Sequence, residues 1–284
     1  MKAPEELGIG MMVRFDDPPE ISFRRLREIG LCHCQFAAPS DEYLYGGAGR
    51  ENTKKLLDAI AEYDICVTSL FISFPGQDWS NWKNTIGLVP PATRAQRMAR
   101  ACRSADWARE LGIVQIASHV GCIPENPDDP EYPGLIEALR GLCRLLEANG
   151  QVMAYETGQE SLKTLAKTMN DVGVDNQKIN FDPANLLIYN QDDPMRLVKT
   201  MGELVVHVHC KDACRPANPD ELGIETRLGD GDTGFASLLR ALYSQGYRGP
   251  LTIEREIPPG PEQRADIIYA VKLIEAIKRE LKQI

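Results

Sequence analysis

A chain of 284 residues with 43% hydrophobic and 26% charged residues has an ordinary globular composition, which excludes disordered and collagen-like classes. Its formal net charge of −9 and pI near 5.1 argue against a nucleic-acid partner, because neutralising phosphates requires clustered Lys and Arg. No stretch approaches the roughly 18 uninterrupted apolar residues of a membrane span, and residues 1–6 carry no apolar signal core, so a cytoplasmic protein without a membrane partner is expected.

Taken in chain order, short β-rich runs recur at residues 7–13, 31–36, 65–74, 113–119, 151–156, 178–182, 204–210 and 250–256. Between them apolar residues fall at helical spacing, as over 93–111, 134–148 and 235–245. A last helical stretch, 265–281, with apolar residues at 267, 268, 271, 274 and 277, closes an eighth unit. Gly30, Gly112 and Gly246 each stand just ahead of a strand, where a helix end calls for a left-handed residue. Eight strand–helix units without a composition break or long linker predict a single-domain (β/α)8 TIM barrel over residues 1–284. A doubly wound open sheet is the competing topology, but no Gly-x-Gly-x-x-Gly follows the first strand. The eight cysteines show no Cys-x-x-Cys pair and no compact scaffold spacing, so they are expected to be reduced, mostly buried and small-hydrophobe-like. A redox or zinc role for Cys210 and Cys214 is the alternative.

Two connections exceed what a turn requires: 75–91, with Trp79 and Trp82, and 122–133, rich in Pro, Asp and Glu. Both follow strands and so belong over the C-terminal mouth of a barrel, where active sites are built. The first is either an aromatic lid over a substrate or a loop pinned to the barrel by its two tryptophans.

Residue types with ligating atoms end four consecutive predicted strands: Tyr155-Glu156, Phe181-Asp182, His207-Val208-His209-Cys210-Lys211-Asp212 and Glu254-Arg255-Glu256. Side chains two apart on a strand share a face, so His207, His209 and Lys211 project together, as do Glu254 and Glu256. Charges in a barrel interior are costly unless compensated. A divalent cation held by Glu156, Asp182, His209 and one strand-eight Glu is the economical solution. Buried salt bridges to Lys211, Arg215 and Arg255 are the alternative. Three carboxylates and one imidazole suit Mn²⁺, Mg²⁺ or Co²⁺ better than a thiolate-type zinc site.

These endings resemble the sugar phosphate isomerase/epimerase group of xylose-isomerase-like barrels. The stretches that carry the resemblance are Tyr155-Glu156, Asn180-Phe181-Asp182-Pro183-Ala184-Asn185-Leu186, His207 to Asp212, Leu228-Gly229-Asp230-Gly231-Asp232 and Ile253-Glu254-Arg255-Glu256. It runs over nearly the full chain and is strongest from residue 150 onward. It implies one divalent ion, Mn²⁺ foremost with Mg²⁺, Co²⁺ or Zn²⁺ as alternatives, on Glu156, Asp182, His209 and Glu254. It also implies Glu156 and Glu254 as the catalytic acid/base pair and His119 as a substrate contact. Asn185, His207, Lys211, Arg215, Glu256 and Trp79 complete the expected substrate-binding set. One departure stands out: ketose 3-epimerases resemble Asp-x-x-His at strand six, whereas Asp182 is followed by Asn185. An amide hydrogen-bonds a hydroxyl but shuttles no proton at neutral pH.

The expected chemistry is proton abstraction beside a carbonyl, in which an enediolate charge is stabilised by a Lewis acid and a carboxylate takes and returns the proton. That describes a sugar isomerase or epimerase. An inosose-type dehydratase starts with the same step and then expels a hydroxyl. An abasic-site endonuclease would need a histidine-rich three-metal cluster and a basic face, against four histidines and a pI near 5.1 here. Residues 230–234 lack the ligand positions of an EF-hand, residues 46–50 lack a phosphate-loop ending, and no Gly-x-Ser-x-Gly elbow occurs. The expected partner is a small carbohydrate-like molecule, and self-association into a homo-oligomer is compatible with the pattern.

Overall fold

The computed structural model describes residues 4–219 and 221–283. Strands β1 (Ile9–Arg14), β2 (His33–Ala37), β3 (Cys66–Ile72), β4 (Gln115–Ser118), β5 (Val152–Glu156), β6 (Gln177–Phe181) and β7 (Val205–Cys210) fall where the β-rich runs predict them. β8 (Asp212–Cys214) and β9 (Ile224–Thr226) form a separate antiparallel hairpin, and β10 (Leu251–Ile253) is the eighth barrel strand. The barrel closes in the order β1-β10-β7-β6-β5-β4-β3-β2, every neighbour parallel, as the strand–helix alternation predicts. The hairpin is an addition to the expected pattern. Its three-residue strands mix polar and apolar positions and are too short to show a period.

The helices bury one apolar stripe each against the barrel. Tyr132–Ala148 turns Leu135, Ile136, Leu139, Leu142, Cys143 and Leu146 inward, the three-and-four spacing of a core-facing helix. Leu162–Val172 starts where Ser161 Oγ accepts the Thr164 N–H at 3.3 Å and stops at Gly173, whose φ of 63° an L side chain resists. Gly30, Gly112 and Gly246 all take positive φ ahead of their strands, as their positions predict. The 75–91 segment is not a bare loop. It holds the short helical turns Trp79–Asn81 and Trp82–Thr85, and Arg97 clamps it by donating to the Thr85 and Gly87 carbonyls at 2.6 and 2.7 Å.

The Asp-Gly run at 228–233 owes its shape to Asp212. That carboxylate accepts N–H bonds from Gly229, Gly231 and Thr233 at 2.9, 3.2 and 3.1 Å, satisfying loop amides that would otherwise lie unpaired. A Cβ on residue 231 would come within 2.4 Å of Asp212 Oδ1, so glycine is required there. The run is a turn wrapped around a carboxylate.

Candidate active site and metal centre

The strand ends of β5, β6, β7 and β10 bring Glu156, Asp182, His209 and Glu254 together, with one ligating atom from each within 4.8 Å of the others. Glu156 ends β5 and is 3% exposed. Asp182 lies one residue past β6 and caps the helix Pro183–Ile188, a local consequence of Asp followed by Pro at the first helical position. Its Oδ1 accepts the Asn185 N–H at 2.9 Å, which leaves Oδ2 for the cluster. Glu254 follows β10, whose pairing stops at Ile253, three residues before the predicted end. Glu256 N–H has turned away to donate to Glu225. Both Glu254 and Glu256 nevertheless line the cavity, as the two-residue alternation predicts.

His209 is oriented from across the barrel. Gln35 on β2 donates through Nε2 to Ser69 Oγ at 2.7 Å, so its Oε1 is left as an acceptor, 2.7 Å from His209 Nε2. Asn180 Nδ2 is 3.2 Å from the same nitrogen, but the shorter contact to an acceptor decides the tautomer, with the proton on Nε2. The strand register shifts at Cys34/Gln35 and at Ile179/Asn180, the two places that aim these amides inward. Nδ1 is thereby turned toward Glu156 Oε1, Glu254 Oε2 and Asp182 Oδ2, at 2.9, 3.2 and 3.6 Å.

The electrostatics of this arrangement select for a cation. Burial alone would keep the His209 ring neutral, but Glu254, Asp182 and Glu156 overcome it and raise its proton affinity well above the ordinary range. Burial likewise opposes charge on Glu254, yet Lys211 and His209 hold that carboxyl well below its usual value. Asp182 goes the other way, raised because burial outweighs Lys211. Glu156 Oε2, Asp182 Oδ2 and His209 Nδ1 are buried without a hydrogen-bond partner. Atoms that crowd together without hydrogen-bond geometry fit ligands grouped around one ion, and the oxygen-rich donor set fits a divalent one.

Above the cluster opens a cavity of ≈ 450 Å³, with Glu156, Glu254, Glu256, Lys211, His119, Asn185 and Trp79 in its wall. His119 Nε2 lies 2.7 Å from Glu156 Oε2, and this carboxylate, against the opposing effect of burial, keeps the imidazole above its usual pKa. Trp79, 48% exposed, stands edge-on to His119 at 5.5 Å, while Trp82 packs on Tyr189 at 4.8 Å. The two readings of the 75–91 segment therefore divide between its tryptophans. Trp79 faces the cavity and Trp82 pins the segment down. Lys211, buried, reaches Glu256 Oε2 at 2.5 Å and Glu254 Oε2 at 3.2 Å.

Two expected substrate contacts lie elsewhere. His207 is fully buried below the cavity, with Nε2 2.7 Å from Thr252 Oγ1 and Nδ1 3.3 Å from Gln115 Oε1. Burial, with His209 adding to it, keeps its ring neutral far below the usual range. Strand alternation puts 207 and 209 on one face but says nothing of depth, and 207 is the deeper. Arg215 is exposed beyond the rim and donates to Asn190 Oδ1 and the Asp192 carbonyl. Among the expected counter-charges, Arg255 points away and pairs with Glu225 and Asp266 at 2.7 and 2.9 Å, so Lys211 alone of the three meets the cluster.

The strand-end reading missed Gln35 and Arg14. Gln35 is a buried polar residue between Cys34 and Phe36 in the strand interior, a signal readable in the sequence. Arg14 ends β1 and places a charge in the cavity wall, a strand-end signal like those of the later strands.

Glu160 was also missed. It is buried four residues past Glu156, and burial pushes its carboxyl from 4.5 up to about 8 against the pull of His119. Between those pH values the folded chain holds a proton that the unfolded chain has released, so stability falls as pH rises through the interval. Glu160→Gln removes that slope. The variant is expected to melt with wild type below pH 4.5 and to be more stable by up to about 5 kcal/mol above pH 8. Equal melting temperatures at both pH values would contradict the buried carboxyl.

A family model described as xylose isomerase-like TIM barrel matches residues 23–276. An inosose dehydratase from Salmonella agona is 29% identical over 173 residues, covering 55% of this chain and 56% of the relative. The chain thus spans about half the length of the curated relatives it matches. The crystal structure of a xylose isomerase domain protein from Planctomyces limnophilus is 30% identical over 100% of both chains, with a TM-score of 0.89. A D-tagatose 3-epimerase-like protein, 16% identical with 97% of this chain and 98% of that one covered, superposes with a TM-score of 0.72 and shares the fold. This chain belongs to the xylose isomerase-like TIM barrel family.

Proposed function

We propose that the protein is a divalent-metal-dependent enzyme that abstracts a proton beside the carbonyl of a sugar or related polyhydroxy compound. The observation that carries the reading is the buried set Glu156, Asp182, His209 and Glu254, with three ligating atoms lacking hydrogen-bond partners under an open polar cavity. A divalent ion on these atoms, Mn²⁺ foremost, would supply Lewis-acid polarisation of a substrate oxygen. Glu156 and Glu254 stand on opposite sides of His209 and form the acid/base pair. Each has a cationic neighbour, His119 for Glu156 and Lys211 for Glu254, that keeps it ionised and ready to accept a proton. Trp79 and Asn185 close the cavity wall, one presenting an aromatic face and the other an amide for a hydroxyl.

Return of the proton makes the enzyme an isomerase or epimerase. Two observations favour a second outcome, dehydration: the similarity to an inosose dehydratase, and Asn185 in place of a proton-shuttling histidine. His119, held toward its protonated form beside Glu156, suits protonation of a departing hydroxyl. Incubation of the Mn²⁺-loaded protein with ketoses and inososes in deuterated water tests both. Deuterium in recovered or isomerised substrate supports the first outcome, and loss of one water from an inosose supports the second. No exchange and no product with any of them would sink the proton-transfer reading.

A further inference from the structure

The cavity wall presents two permanent cations, Arg14 and Lys211, beside His119, whose Nε2 is engaged with Glu156 Oε2 at 2.7 Å. An ammonium has three N–H donors. Those of Lys211 face Glu256 Oε2 at 2.5 Å, Glu254 Oε2 at 3.2 Å and Asp182 Oδ2 at 3.7 Å. Arg14 Nη2 lies 3.6 Å from the other oxygen of the same residue, Glu256 Oε1. One rim carboxylate therefore engages both cations, with an accessible side chain, 49% exposed against 1% for Lys211.

Several nearby groups that could hold an anion are already engaged. The helix Pro183–Ile188 begins with a proline, which has no N–H, and its Asn185 amide is taken by Asp182. Arg215 donates to Asn190 and Asp192, and Lys83 lies over the Trp82 ring at 5.4 Å. Charge bookkeeping agrees. The carboxylates Glu156, Asp182, Glu254 and Glu256 already engage the cationic groups of the cavity, His119 on Glu156, Lys211 on Glu254 and Glu256, and Arg14 on Glu256, before any divalent ion is added. A phosphate ester would add a dianion whose available counter-charges already face carboxylates.

We infer that Glu256 is a specificity-determining residue that restricts the site to uncharged polyhydroxy carbonyl compounds and excludes their phosphate esters. The inference deepens the metal-dependent proton-transfer reading and rests on it. Selection works here through repulsion: Glu256 keeps the two cations from recruiting a phosphate.

The test is calorimetric titration of the Mn²⁺-loaded 284-residue chain with an inosose and with D-fructose 6-phosphate, in wild type, Glu256→Gln and Glu256→Ala. In both variants the affinity for D-fructose 6-phosphate is expected to rise by about tenfold or more, as Lys211 and Arg14 are released, with a much smaller change for the inosose. Wild type that binds the ester as tightly as the inosose, or variants that gain nothing for the ester, would overturn the role of Glu256 while Mn²⁺ uptake remains. Wild type that takes up no Mn²⁺ would instead overturn the metal-centre reading, and the inference with it.

Discussion

Glu156→Gln is expected to lower turnover by roughly 10²–10⁴-fold while leaving the fold intact, since an amide cannot take a proton. The residue is 3% exposed and the change is isosteric, so neither a cavity nor a clash is created. The amide would also present either a weaker neutral ligand or an N–H group at the position of Glu156 Oε1, 2.9 Å from His209 Nδ1, so Mn²⁺ affinity should fall as well. Steady-state rates and metal content, with circular dichroism as the fold control, check both. Full activity in a folded Glu156→Gln protein would remove this residue from the mechanism. Loss of metal with rate restored at saturating Mn²⁺ would leave it as a ligand only.

Lys211→Met should produce the largest stability change of any single substitution at the site. The side chain is 1% exposed, its length is matched by Met, and its charge faces Asp182, Glu254 and Glu256. Burial by itself would favour a neutral lysine, yet Glu254 and Asp182 hold it protonated well above the ordinary range. Removing one partner of a buried charge cluster strands the others, at a typical cost of about 3–5 kcal/mol. For a chain of this size that corresponds to a fall of roughly 10 °C in the melting temperature of the metal-free protein. Mn²⁺ should recover part of the loss, because a second cation among the same carboxylates replaces some of the missing charge. Metal-free melting curves that superpose on wild type would mean that the carboxylates are neutral in the folded chain. The ammonium of Lys211 would then not be their counter-charge.

Much of this protein is written locally. The barrel follows from eight runs whose apolar periods switch between strand and helix, because each unit buries a face that its neighbours along the chain can cover. The cluster of four candidate ligands is equally legible. Glu156, Asp182, His209 and Glu254 each lie within one residue of a strand end, and in a parallel barrel all strand ends meet at one rim. The helix cap that frees Asp182 Oδ2 is visible in Asp182-Pro183 alone.

What the sequence could not disclose was who faces whom across the barrel. Gln35 and His209 are 174 residues apart and belong to strands that are not neighbours in the sheet, so only closure of the barrel makes one orient the other. The depth that removes His207 from the cavity, the approach of His119 to Glu156 and the division of Lys211 among three carboxylates have the same origin. A period of two assigns a side chain to a face, whereas its height on that face depends on strand tilt and register. The sequence by itself determined which residues arrive at the rim. The tertiary structure decided their partners and which cations are already taken, because contact and charge compensation depend on distances that no linear spacing encodes.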